Sequence, residues 1–146
     1  MNSDQELLQS CIKLAKIIYE GKFKTNGEPW IASPRRVAEV AQLRKWPIEI
    51  VCACWFKDIY DADPAHFQYT LEDIAGINQK VAQIVKTISK PHDQSDDSFF
   101  YHVSQSPDGK AIVWLSLLDY LATTNDPRNG NLNIHRLESM YPDHMV

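Results

Sequence analysis

No run of about 18 apolar residues occurs in the chain, so no segment is expected to span a bilayer. An excess of basic residues is missing as well. Fifteen Lys and Arg stand against 19 Asp and Glu, a formal charge of -4. A general nucleic-acid binder needs a basic face to neutralise phosphates, so that class is excluded, while local basic pockets remain open. Cysteine is scarce: Cys11, Cys52 and Cys54 are odd in number and sit in apolar segments. That pattern excludes a disulfide framework and fits reduced, buried thiols in a reducing compartment. Cys52 and Cys54 are two apart and face nearly opposite ways on a helix, which favours core packing over a soft-metal site. Nothing alternates with period two for long enough to make a strand, and there is no internal repeat or low-complexity tract.

What is present fits one globular domain over 1–146, with 44% hydrophobic and 23% charged residues, enough to bury a single sizeable core. The start, Met-Asn-Ser-Asp-Gln-Glu, is acidic where a signal peptide would be basic and then apolar, so a cytoplasmic protein is expected.

Apolar residues at three- and four-residue steps from Asp4 to about Glu20 predict an amphipathic helix. Gly21 to Ala32 loses that period and carries Asn26-Gly27 and Pro29, so it reads as a loop. Ser33-Pro34 has the form of a helix cap followed by proline, with the helix continuing through Leu43 and closing at Arg44, Lys45 and Trp46. Pro47 opens a third helix expected to run through Ile59, apolar around most of its circumference and so central to the core. Thr70-Leu-Glu-Asp73 looks like a capping box before a short helix ending near Gly76. Further helices are expected at Asn78 to Ile88, Ser98 to Gln105, Asp108 to Thr123 and Ile134 to Met140, with a polar loop from Lys90 to Asp97. The fold class is all-α, a helical bundle whose sites are built in the core.

The most informative stretch is Val51-Cys-Ala-Cys-Trp-Phe-Lys-Asp-Ile-Tyr-Asp61, where an apolar helix ends in a cluster of charge. Other blocks stand around it in order: Gly21-Lys-Phe-Lys-Thr-Asn-Gly27, Trp30-Ile-Ala-Ser-Pro34, Arg36-Val-Ala38, Thr70-Leu-Glu-Asp-Ile74, Val81 to Lys90, and Ser116 to Asp119. From Ile12 to Thr124 this series resembles the HD-domain metal-dependent phosphohydrolases, in the branch of the guanosine tetraphosphate hydrolases and their small stand-alone relatives. The blocks correspond to that branch's Gly-Gln-x-Arg-Lys-Asp-Gly loop, Tyr-Ile-x-His-Pro motif, Val-Ala helix, the helix start that follows its Leu-His-Asp motif, its Val-x-x-Ile-Val-x-x-Ile-Thr-Lys helix and its Lys-Leu-Ala-Asp block. Phe56-Lys-Asp58 stands at the Leu-His-Asp motif itself.

The resemblance implies an HD-like bundle with a divalent metal, usually manganese, at positions Ser33, Lys57, Asp58 and Asp119. Both histidines of that set are replaced, by a neutral hydroxyl and by an ammonium that is no ligand. Of the acidic pair that follows the His-Asp motif in the family, Asp61 is kept and Ala62 stands for the other. In the loop, Lys24 keeps the family's positive charge and Thr25 does not. The resemblance so altered implies a catalytically degenerate domain with no cofactor. It would bind a nucleotide, another small phosphorylated ligand or a protein partner, with Lys24, Trp30, Ser33 and Lys57 as ligand-binding candidates. The alternative is an active phosphohydrolase with a rearranged site, holding manganese or another divalent metal, or metal-free with Asp58, Asp61 and Asp119 in acid-base roles. A third possibility uses Lys57 as a desolvated base or nucleophile.

Lys57 is expected to stand in for the metal's charge beside Asp58 and Asp119. Asp58 and Asp119 read equally well as remnants without a metal role. Lys22, Lys24, Arg35 and Arg36 form a basic run that fits either a phosphate at the Ser33-Pro34 helix start or ordinary surface charge. Trp30, Trp46, Trp55 and Trp114 read as core or core-edge aromatics, with Trp30 also placed to stack on a base. His66, His92, His102, His135 and His144 read as exposed, and a shifted metal site would draw on His66 or His102.

Overall fold

The computed structural model describes residues 3–123, and these form an all-α bundle. Helix α1 spans Ser3–Tyr19, α2 Ala32–Leu43, α3 Ile48–Trp55 and α4 Ile59–Ala62. After a 3-10 turn at Pro64–His66 come α5 Phe67–Ile77, α6 Gln79–Ile88, α7 Asp96–Ser104 and α8 Pro107–Thr123. No described helix is long and apolar enough to cross a membrane. The helix expected at Ile134 to Met140, with His135 and His144, lies outside the described residues.

Helix α3 is the hub, packing on α1, α2, α6 and α8. Its residues from Ile50 to Trp55 are all buried, because neighbours cover it on every side. Cys52 and Cys54 therefore point nearly opposite ways and are both fully enclosed as free thiols. Helix α6 presents Val81, Ile84, Val85 and Ile88 to the core, one face at helical spacing. Asn78 caps α6 by accepting the Val81 N–H at 3.0 Å.

Three local expectations are corrected. The third helix does not run through Ile59: it stops at Trp55, with Phe56 and Asp58 both near φ -108°, ψ 10°. Tight bonds from Phe56 N to Ala53 O and from Ile59 N to Phe56 O make a turn in that sparsely populated region. The turn drops Phe56 into the core while leaving Lys57 and Asp58 only partly buried.

Ser33 is not the cap of α2. The helix starts two residues before Pro34, at Ala32, without any side-chain cap, and the Ser33 hydroxyl donates elsewhere. Pro34 falls among the first N–H positions, which have no intrahelical acceptor, so it is tolerated there. Thr70 likewise caps nothing, because α5 has already begun at Phe67, and its hydroxyl donates back to the His66 carbonyl at 3.0 Å.

The loop between α1 and α2 is closed by an isolated antiparallel bridge, Phe23 with Pro29. Gly27 turns it at φ +89°, a conformation that favours glycine. Trp55 is buried, while Trp30, Trp46 and Trp114 are partly buried against the core.

Candidate functional site

The α3–α4 turn brings Lys57 and Asp58 together. Lys57 Nζ donates to both carboxylate oxygens of Asp58, at 3.1 and 3.0 Å. Only 8% of the lysine and 17% of the aspartate side chain is exposed, so each charge has the other as its main substitute for water. The Asp58 N–H donates to the Tyr19 hydroxyl at 3.3 Å, tying the turn to the end of α1. Burial first, and then the Asp58 charge, push the Tyr19 hydroxyl well above its ordinary pKa, so it stays neutral.

A second cluster lies where α2 meets α8. Ser33 and Arg36 are three apart on α2 and share a face, and both reach Asp119. The serine hydroxyl donates to Oδ2 at 2.7 Å, while Arg36 donates from Nε to Oδ1 at 2.8 Å and from Nη2 to Oδ2 at 3.1 Å. Arg36 Nη2 also donates to Glu28 at 3.0 Å, which pins the loop to the cluster. Burial alone would raise the Asp119 carboxyl. The hydrogen bonds from Arg36 and Ser33, with the charges of Arg36 and Lys57, outweigh it and hold the pKa below the usual carboxylate range. The main counter-charge of Asp119 is thus Arg36, where sequence reasoning expected Lys57. Its basic character was visible in the sequence, but nothing local marked it as the partner of a residue on the last described helix.

These contacts occupy the atoms that a divalent metal would need. Both oxygens of Asp58 and both of Asp119 accept hydrogen bonds from cationic side chains, and the Ser33 hydroxyl, a weak neutral ligand, is turned to donate to Asp119. Among the described residues no three His, Cys, Asp or Glu side chains group to hold a metal ion. At the positions that the resemblance gives to a metal, each carboxylate is thus taken up by a cationic side chain. His66 is turned to Asp63 at 2.9 Å and is exposed, as are His92 and His102.

Lys57 and Asp58 line a cavity of about 330 Å³ between the α3–α4 turn, α6, α7 and α8. Buried Ile88, Phe99, Ile112 and Val113 form its inner wall, and exposed Asp61 and Tyr120 stand at its rim. Although more than half of the Asp61 side chain meets solvent, protein crowds the carboxyl; desolvation first, then Asp58, raise its pKa above the ordinary value. Lys90, also on the lining, pairs with Asp96 at 3.6 Å.

Lys24 and Trp30 do not line this cavity. The lysine lies 5.1 Å from the centre of the indole ring, in cation–π contact, and 3.9 Å from Glu28. Two further members of the basic run also meet acids: Lys22 reaches Asp63 at 3.4 Å and Arg36 reaches Glu28 and Asp119.

No protein-family model matches the chain, and no curated protein matches it significantly.

Proposed function

We propose that this chain is an HD-domain-like bundle in which two ion pairs stand at the positions of a divalent metal, and that it binds a small ligand in the cavity beside Lys57 without hydrolysing it. The observation that carries this reading is the double occupation of both carboxylates, Asp58 by Lys57 and Asp119 by Arg36 with Ser33. A metal would have to displace two cations that are held by direct hydrogen bonds, and the ammonium of Lys57 would repel it. The block order from Ile12 to Thr124 supports the HD-like frame, and the cavity supports a binding role. The resemblance implies a nucleotide or another phosphorylated ligand.

Asp61 favours a second reading, a metal-free phosphohydrolase. Asp61 stands at the cavity mouth with its carboxyl pKa raised by desolvation, and as a general acid it would give its proton to a leaving-group oxygen as water attacks phosphorus and the ester P–O bond breaks, the water's protons staying on the released phosphate.

The test is phosphate release from a panel of phosphomonoesters, nucleotides and pyrophosphorylated nucleotides, with and without manganese. No release above the buffer rate supports the binding domain. Release without metal that Asp61→Asn abolishes establishes the second reading, and manganese-dependent release overturns the proposal.

A further inference from the structure

We infer that the ligand of the Lys57 cavity is an aromatic molecule without net charge, with a small head group that both accepts and donates hydrogen bonds, such as an aryl carboxamide. This rests on the binding role proposed above and replaces the phosphorylated ligand that the resemblance implies with an uncharged one.

Charge comes first. The lining holds two cations, Lys57 and Lys90, and two carboxylates, Asp58 and Asp61. Neither cation is idle, since Lys57 is chelated by Asp58 at 3.0 Å and Lys90 faces Asp96. A polyphosphate entering here would trade its hydration for a lining whose charges already cancel, and would sit beside two carboxylates. Lys22, Lys24 and Arg36 lie off this lining, and each already faces an acid.

The walls say what the body should be. Phe99 and Phe100 meet edge to face at 5.6 Å between ring centres, beside Ile112, Val113 and Leu117. Two serines on the lining add little polarity, because Ser89 donates to the Val85 carbonyl at 2.7 Å and Ser116 to the Ile112 carbonyl at 2.9 Å, each along its own helix. An aromatic ring gains from such a wall both by area and by edge-to-face contact. The volume lies near the lower limit of about 300 Å³ for small-molecule pockets, which suits one or two fused rings.

The polar end says what the head should be. An ammonium has three N–H donors and Asp58 offers Lys57 two oxygens, so one donor remains for a carbonyl oxygen. Asp61, on the lining and close enough to feel the charge of Lys57, supplies a carboxyl acceptor, with His92 3.8 Å from one of its oxygens. An acceptor beside a donor on one neutral group is an amide.

The test uses the full chain and four probes: 2-naphthamide, 2-naphthoate, 2-naphthylmethylammonium and inorganic triphosphate, titrated by calorimetry and by amide chemical-shift mapping. The amide is expected to bind at least tenfold more tightly than either charged naphthalene, with triphosphate failing to displace it. Leu117→Trp and Ser116→Phe each fill the cavity, and whichever remains folded by circular dichroism should lose binding at least tenfold. Tighter binding of naphthoate or triphosphate in the cavity overturns the inference while leaving a binding domain in place. Amide binding that is absent, or unchanged in a folded filled variant, also overturns it. Failure of the binding role itself reads out separately, as phosphate release.

Discussion

Arg36 and Asp119, 83 residues apart in sequence, meet in a forked ion pair with Nε–Oδ1 at 2.8 Å and Nη2–Oδ2 at 3.1 Å. The fork joins α2 to α8 and, through Glu28, holds the loop that precedes α2. It also uses both oxygens of a carboxylate that, by resemblance, would belong to a metal.

Asp119→Ala is expected to destabilise the protein by about 2 kcal/mol in urea unfolding. That is the range for hydrogen bonds to charged groups, taken below the cost of a fully buried pair because the arginine is 38% exposed. The loss should persist in excess chelator. A change within about 0.5 kcal/mol would show that the fork contributes little.

The same carboxylate sets a pH dependence. Its folded-state pKa lies below the unfolded value of about 3.9, so its stabilisation is complete above that pH and is lost as pH falls through the folded-state pKa. Wild type should therefore exceed Asp119→Asn in stability at neutral pH, with the gap closing below about pH 4. A gap independent of pH would contradict the assignment.

Lys57→Met leaves Asp58 buried without its counter-charge and should cost about 2 kcal/mol, whereas Lys57→Met with Asp58→Asn should recover part of that loss. A double-mutant cycle in chemical denaturation measures this coupling. Additive single effects would mean that the 3.0 Å contact carries no coupling in solution.

Asp61 should behave oppositely to Asp119. Its folded-state pKa is raised, so its contribution is present below the unfolded value and lost as pH rises through the folded one. Asp61→Asn is expected to raise the melting temperature at pH 7 and to give no gain near pH 3. A lower melting temperature at pH 7 would show that the charged carboxylate is stabilising.

Helical periodicity made most of the bundle legible. Leu7, Cys11, Leu14, Ala15 and Ile18 mark α1, and Val81, Ile84, Val85 and Ile88 mark α6, because a helix buried on one face must repeat its apolar residues every three or four positions. The apolar circumference of α3 announced its central place. The caps at Ser33 and Thr70 misled because α2 and α5 begin upstream, at Ala32 and Phe67, so both residues lie within the first turn and each hydroxyl donates from there to an acceptor. For Ser33 that acceptor is Asp119, brought near only by tertiary packing. The break after Trp55 was hidden because Lys57 and Asp58 fit a helical period as well as a turn. The pairing of Lys57 with Asp58 was legible from adjacency, but that of Arg36 with Asp119 was not, since it depends on how α2 crosses α8.

The most direct measurement is elemental analysis of divalent metal in protein purified without chelator or nickel affinity, repeated after incubation with manganese and desalting. The expected result is far below one equivalent in both samples, with Asp58 and Asp119 kept by Lys57 and Arg36. Close to one tightly held equivalent would contradict the replacement of a metal centre by ion pairs.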